Sequence, residues 1–266
     1  MNMPLGCKKN PPDRRDFRLK APVLKSPPAY SDLKPIVLPV ENQAPLNDCV
    51  GNGGTTQGEV MWVKMGRKHE QLSRLMLYYL ARDLTGDTDK DEGTYPRSMA
   101  KAFAKWGCAR ESLWPHDPKK VSTRPSEESY KDALNWRVKS YYWPYTNSDI
   151  KWALSKGFPV GIGIPVYDSF YYAPKGIIPM PKDDEKNNGG HWIVLCGHND
   201  ATGFFDFVNS WSTDWGSGGF GQLPYEYIEK YGWNALVMEF GENGVTPPPI
   251  PMSWFTRVVN WIKSLF

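Results

Sequence analysis

Helix-patterned segments come first in this chain of 266 residues and strand-patterned runs come later. That segregation points to an α+β fold of two lobes with a cleft between them. Helices are predicted from Cys49 to about Lys64, ending at Gly66; from the Gln71–Leu80 segment onward; from Pro96 to Trp106, with Gly107 closing it; and from Asn147 to Lys156, closed by Gly157. Strands are predicted at Pro159–Ile164, Trp192–Gly197 and Phe204–Asn209, the last two after a polar loop at 182–188. The first helix carries Gly51, Gly53, Gly54 and Gly58, which lower its propensity. Close packing against neighbouring backbone is the expected reason.

A chain of this length can bury a substantial core in one or two domains. Lysines and arginines are scattered among acids and the net charge is only +3, so nucleic acid is not an expected partner. Met1–Lys9 has no apolar signal-peptide core, and no stretch reaches the roughly 18 apolar residues of a membrane span. The expected location is the cytoplasm of the producing cell, or outside it by a non-standard route. Residues 1–35 are rich in proline and basic residues and read as an extended arm, a candidate short propeptide, with a disordered tail as the plainer reading. Residues 36–245 form the main domain. The run 246–251 reads as a stiff proline-rich linker. Residues 252–266 read as an amphipathic helix with Trp254, Val258, Trp261 and Leu265 on one face and Arg257 and Lys263 on the other. Three roles stand for that helix: docking on its own domain, binding a protein partner or a second copy, or lying on a membrane surface.

The chemistry rests on four side chains. Cys49 follows Gln43 by six residues, His191 sits in Gly189-Gly190-His191-Trp192, and Asn209 opens Asn209-Ser210-Trp211, ahead of the glycine-rich Trp215–Gly221 stretch. They supply a thiol, an imidazole, an amide to orient that ring and an amide donor for an oxyanion, the groups needed for nucleophilic attack on a carbonyl.

This order resembles that of the papain-like cysteine proteases (peptidase family C1) over about residues 36–240, and the leader resembles those of bacterial and viral members. His191 and Asn209 lie about 140 and about 160 residues beyond Cys49, the second slightly outside the roughly 130–150 usual in that family. The resemblance implies a helical left lobe, a barrel-like right lobe and an endopeptidase acting on peptides or proteins. It would work through a Cys49–His191 thiolate–imidazolium pair and a thioacyl-enzyme. Asn209 would fix the ring, and Gln43 with the Cys49 backbone N–H would hold the oxyanion. Trp211 would shield the His191–Asn209 hydrogen bond and border the substrate. Gly93-Thr94-Tyr95-Pro96 matches a stretch that lines a substrate pocket in the family, with Tyr95 as a wall and Gly93 and Thr94 pairing with an extended peptide; Gly190 stands beside them.

No metal and no cofactor is expected, since Cys7, Cys49, Cys108 and Cys196 form no CxxC pair. Cys196 reads as a core residue, His69 and His116 as surface residues, and His198 as lying past a strand end. The chain departs from the family at Val50-Gly51-Asn52, where a bulky aromatic is usual, at Gly190, where many relatives carry Asp or Asn, and at Leu46, where secreted relatives have a bridging cysteine. The last fits a reducing compartment. Two other readings keep the same residues: a Cys–His amidase or acyl-transfer enzyme on another substrate, and a catalytically weak binding protein on the same fold.

Overall fold

Prolines and the lack of a helical period keep the N-terminal arm extended. A computed structural model describes residues 3–22 and 26–241. In the described part of the arm the regular elements are two short strands, β1 (Arg18–Leu19) and β2 (Tyr30–Asp32), and a single 3-10 turn at Lys34–Ile36. The linker and helix predicted for 246–266 lie outside the described residues.

The left lobe is helical. Helix α1 (Cys49–Lys64) starts and stops where the sequence predicts and is buried on every side through Met61. Its glycines explain how. A Cβ on Gly51 would stand 2.7 Å from the Arg74 carbonyl oxygen, and one on Gly53 would overlap the Trp192 ring. Helix α2 (Arg74–Asp83) therefore lies directly against α1. It begins three residues after the predicted start, because Ser73 caps it by accepting a hydrogen bond from the Met76 N–H. Helix α3 (Pro96–Lys105) follows, with proline in its first turn and Gly107 at φ +81 just beyond its end. Helix α4 (Glu127–Ala133) is a short addition capped by Ser126. The lobe's core joins residues of α1, α2 and α3 to Trp136, Trp143, Trp192 and Phe240.

The rest of the chain is mostly sheet. Strand β3 (Val138–Pro144) leads to α5 (Asn147–Ser155), opened by a capping box of Thr146 and Asp149. Strand β4 (Val160–Tyr167) and the single turn α6 (Asp168–Tyr171) follow, then β5 (Asn187–Asn199), β6 (Phe204–Val208), β7 (Phe220–Pro224), α7 (Tyr225–Tyr231) and β8 (Trp233–Phe240). Among the described residues the strands follow an open path, β1-β3-β8-β4-β5-β6-β7, with β2 paired to β5. All pairs but β1–β3 are antiparallel. Strand β5 is longer than predicted at both ends. Its polar start at Asn187 is drawn into the sheet opposite Tyr167, and its far end carries His198 inside the strand rather than past it.

A second core, built on β4 to β7 with α5 and α7, fills the right lobe. The two larger cores give two lobes, a small third cluster of Val37, Val60, Val194, Cys196 and Val208 joins α1 to β5 and β6, and α1 also meets β5 where Gly53 packs on Trp192. That contact brings the start of α1 to the middle of β5.

Candidate active site

Cys49 is the first residue of α1, and its side chain is fully buried. The Trp192 backbone N–H hydrogen-bonds its sulfur. His191 is the neighbouring residue on β5. Its Nε2 lies 2.7 Å from Asn209 Oδ1, an oxygen that also accepts the Ser210 N–H at 2.8 Å. Because that oxygen can only accept, Nε2 carries the proton. Nδ1 is buried with no hydrogen-bond partner, so in the neutral ring it presents a lone pair. Asn209 itself is fixed by its backbone N–H on the Gly219 carbonyl at 2.9 Å. The Trp211 ring stacks on His191 at 4.6 Å between centroids, and Tyr171 stacks with Trp211 in turn.

Gln43 is completely buried and tied to the same loop. Its N–H donates to the Ser210 carbonyl at 2.9 Å, and its Oε1 accepts the Ser210 hydroxyl at 2.7 Å. With Oε1 so occupied, the amide must turn Nε2 the other way, where it donates to the carbonyls of Leu46 (3.0 Å) and Leu5 (3.3 Å). Ser210 thus orients the Gln43 amide. Sequence order alone assigns Ser210 no role; its hydroxyl next to Asn209 is the signal that marks it.

The Leu5 carbonyl belongs to the arm, which runs across these groups. Trp211 Nε1 donates to the Pro4 carbonyl at 3.3 Å, and the N–H groups of Gly6 and Cys7 both donate to the Gly190 carbonyl, at 3.1 and 3.0 Å. Thr94 donates to the Gly6 carbonyl at 2.9 Å and accepts the Lys8 N–H at 3.0 Å, a parallel bridge centred on Cys7. Thr94 and Gly190 thus do pair with an extended segment. Gly93 does not, since its N–H is taken by the Tyr78 hydroxyl at 3.0 Å. Tyr95 faces the Lys8 ammonium at 5.9 Å.

Burial shifts the ionisation of both groups. Burial, and after it the neighbouring Cys7, pushes the Cys49 thiol well above its ordinary range. Burial also pushes His191 down to about 4. Burial thus favours the neutral form of each group taken by itself.

The remaining histidines correct the sequence reading. His198 is fully buried in β5, bonded to the Ser31 hydroxyl and the Pro28 carbonyl. His69 pairs with the buried Glu59 at 3.6 Å. The His116 side chain is only 7% exposed and its Nε2 lies 2.8 Å from Asp48 Oδ2. The predicted surface placement fails for His116, while the His69 ring stays 30% exposed; each ring meets a carboxylate supplied by α1 or the residue before it. Cys196 lies in the core as expected, and all four cysteines are free thiols.

A model of the papain family of cysteine proteases matches residues 31–238. An uncharacterized peptidase C1-like protein of Acanthamoeba polyphaga mimivirus is 31% identical over 254 residues, covering 84% of this chain and 82% of the viral one. Among solved structures, xylellain, a cysteine protease from Xylella fastidiosa, superposes with a TM-score of 0.84 at 27% identity, covering 90% of this chain and 97% of its own. Bromelain from Ananas comosus, solved with the E64 inhibitor, superposes with a TM-score of 0.64 at 18% identity over 80% of this chain, a likeness of fold.

Proposed function

Because the chain belongs to the papain family of cysteine proteases and so acts on peptides or proteins, we propose that it is an endopeptidase whose nucleophile is Cys49, with His191 as acid and base, Asn209 as orienting amide and Gln43 as oxyanion donor. The observation that carries this reading is the hold on His191. Its Nε2 is committed to Asn209, while Nδ1 is left without a partner on the residue next to the one that hydrogen-bonds the Cys49 sulfur. In the reaction the thiol passes its proton to Nδ1 and the sulfur bonds to the substrate carbonyl carbon. The oxyanion forms between Gln43 Nε2 and the Cys49 N–H. The C–N bond then breaks as His191 returns the proton to the leaving amine, and water, with His191 as base, releases the acyl group from sulfur. Cys49→Ala should abolish peptide hydrolysis with an unchanged fold, and the epoxide inhibitor E-64 should label Cys49 alone. Undiminished turnover in Cys49→Ala would sink the assignment.

The same chemistry makes the arm a plug that resists cleavage. His191 must protonate the leaving amine, so a substrate's C-terminal half lies on the His191–Trp211 side and its N-terminal half along Thr94. The arm runs the other way, with Pro4 at Trp211 and Lys8 at Thr94. Leu5 offers its carbonyl to Gln43 as a substrate would. The chain beyond that carbonyl, however, continues toward Thr94, where an acyl half would lie. Gly6 is required for this path: its φ is +125, and a Cβ there would overlap the Asn47 carbonyl. Gly6→Ala in the full chain should therefore loosen the plug and speed E-64 labelling about tenfold, the effect of roughly 1–3 kcal/mol of backbone strain. Equal labelling rates in both chains would rule the plug out.

A further inference from the structure

The residue before the nucleophile is a buried carboxylate that does not do what an aspartate there usually does. Asp48 stands at the N-cap of α1, yet its side chain accepts no hydrogen bond from the helix's first N–H groups. Instead Oδ1 accepts from Asn52 Nδ2 at 2.8 Å, and Oδ2 lies 2.8 Å from His116 Nε2. Asp48 is completely buried and His116 nearly so. A lone buried carboxylate carries a desolvation penalty of several kcal/mol. Beside a sulfur that must become an anion, it would also oppose that charge in a medium that screens poorly.

The other charges facing the pair are engaged elsewhere or are negative. Arg74, on α2, is drawn to Glu41, which it contacts, and to Glu111 at 3.9 Å. The Arg82 guanidinium, also on α2, is spent on the carbonyls of Thr88, Lys90 and Val121. Asp91 adds negative charge, and Glu111 accepts the His116 backbone N–H at 2.6 Å. His116 is thus the ionisable base within hydrogen-bond distance of the Asp48 carboxylate among the described residues.

We propose that Asp48 and His116 are positioning residues for Cys49: the carboxylate ties the helix start to Asn52 and to the 116 loop, and the imidazolium cancels the carboxylate's field at the Cys49 sulfur. The inference rests on Cys49 being the nucleophile. Neither side chain touches substrate; both act through the sulfur's surroundings.

The test is the pH dependence of Cys49 alkylation by iodoacetamide, a small uncharged probe, with the site read by peptide mapping. It uses the full chain, with and without Gly6→Ala. His116→Gln keeps a donor for Asp48 but removes the cation, so its midpoint should move to higher pH and alkylation on the acid side should slow about tenfold. Adding Asp48→Asn should reverse that shift, because the uncompensated carboxylate is gone. A merely structural pair would instead give a double variant at least as impaired as the single one, with unmoved midpoints, and that result overturns the inference. Should His116→Gln alone fail to fold, the comparison of Asp48→Asn with the double variant remains. With the carboxylate absent, His116→Gln must no longer raise the midpoint, and a raised midpoint there overturns the inference. A Cys49 that stays unmodified at every pH in every chain overturns the nucleophile assignment as well. Clean titrations with unmoved midpoints overturn the inference alone.

Discussion

Two buried imidazoles flank the start of α1, and each is held through Nε2 on one oxygen. His191 rests on the Asn209 amide at 2.7 Å and His116 on the Asp48 carboxylate at 2.8 Å. The geometry is nearly the same and the chemistry differs. An amide oxygen orients a ring while leaving its charge to the surroundings, and burial then drives His191 down to about 4. A carboxylate orients the ring and also favours its cation. On the proposed roles, the two histidines beside one sulfur do different work: the ring that takes up and returns a proton sits on a neutral partner, and the ring that supports the sulfur's charge sits on an anionic one.

The comparison breaks first, and by the largest amount, in acid. The His191 ring is neutral in the folded chain and ionises near 6.5 when unfolded. Between those values the unfolded state binds more protons, so stability rises with pH there. The stabilisation is complete above about pH 6.5 and is lost as pH falls through 4, a loss of about 3 kcal/mol. Glu59, pushed up to about 7 by burial, titrates with the opposite sign across nearly the same window. A wild-type profile alone would therefore hide the effect. The difference between wild type and His191→Gln in urea midpoint, measured at pH 6.5 and at 4.5, isolates it. Parallel profiles for the two chains would mean that the ring carries its proton in the folded state after all.

Much of this site was legible in the sequence, and the reasons the rest was not are physical. Helix α1 was bounded correctly at both ends because Cys49 and Gly66 mark them, and its low-propensity glycines became intelligible once Gly51 met the Arg74 carbonyl and Gly53 met Trp192. The order Gln43, Cys49, His191, Asn209 points to the proposed chemistry because residue type and order carry it. Strands β3 and β8 were missed. They stabilise each other by pairing across about a hundred residues, with Tyr141 opposite Met238, and no local period records that. The start of β5 was read as loop because Asn187-Asn188-Gly189-Gly190 has no apolar alternation; its register is imposed by β4. The Asp48–His116 pair is hidden for the same reason. Its partners stand 68 residues apart, one in a loop, and only the tertiary fold introduces them. The reverse course of the arm was invisible too, since direction in a cleft is a property of the lobes that form it.

The finest test converts one half of the comparison into the other. Asn209→Asp places a carboxylate where His191 now meets an amide, with almost no change of shape. The ring should then hold its proton to higher pH, as an opposite charge at hydrogen-bond distance favours the cation. In the proposed reaction two consequences follow. The acid limb of kcat/KM should move upward, because it reports the proton the ring must shed before it can take the thiol's. The rate at the optimum should fall about tenfold, because a ring held as a cation is a weaker acid toward the leaving amine. Asn209→Ala separates charge from orientation: it frees the ring without adding charge, so activity should drop while the limb stays in place. If Asn209→Asp also leaves the limb unmoved, the partner's charge does not set the ring's proton affinity, and the two histidines must owe their different roles to burial alone.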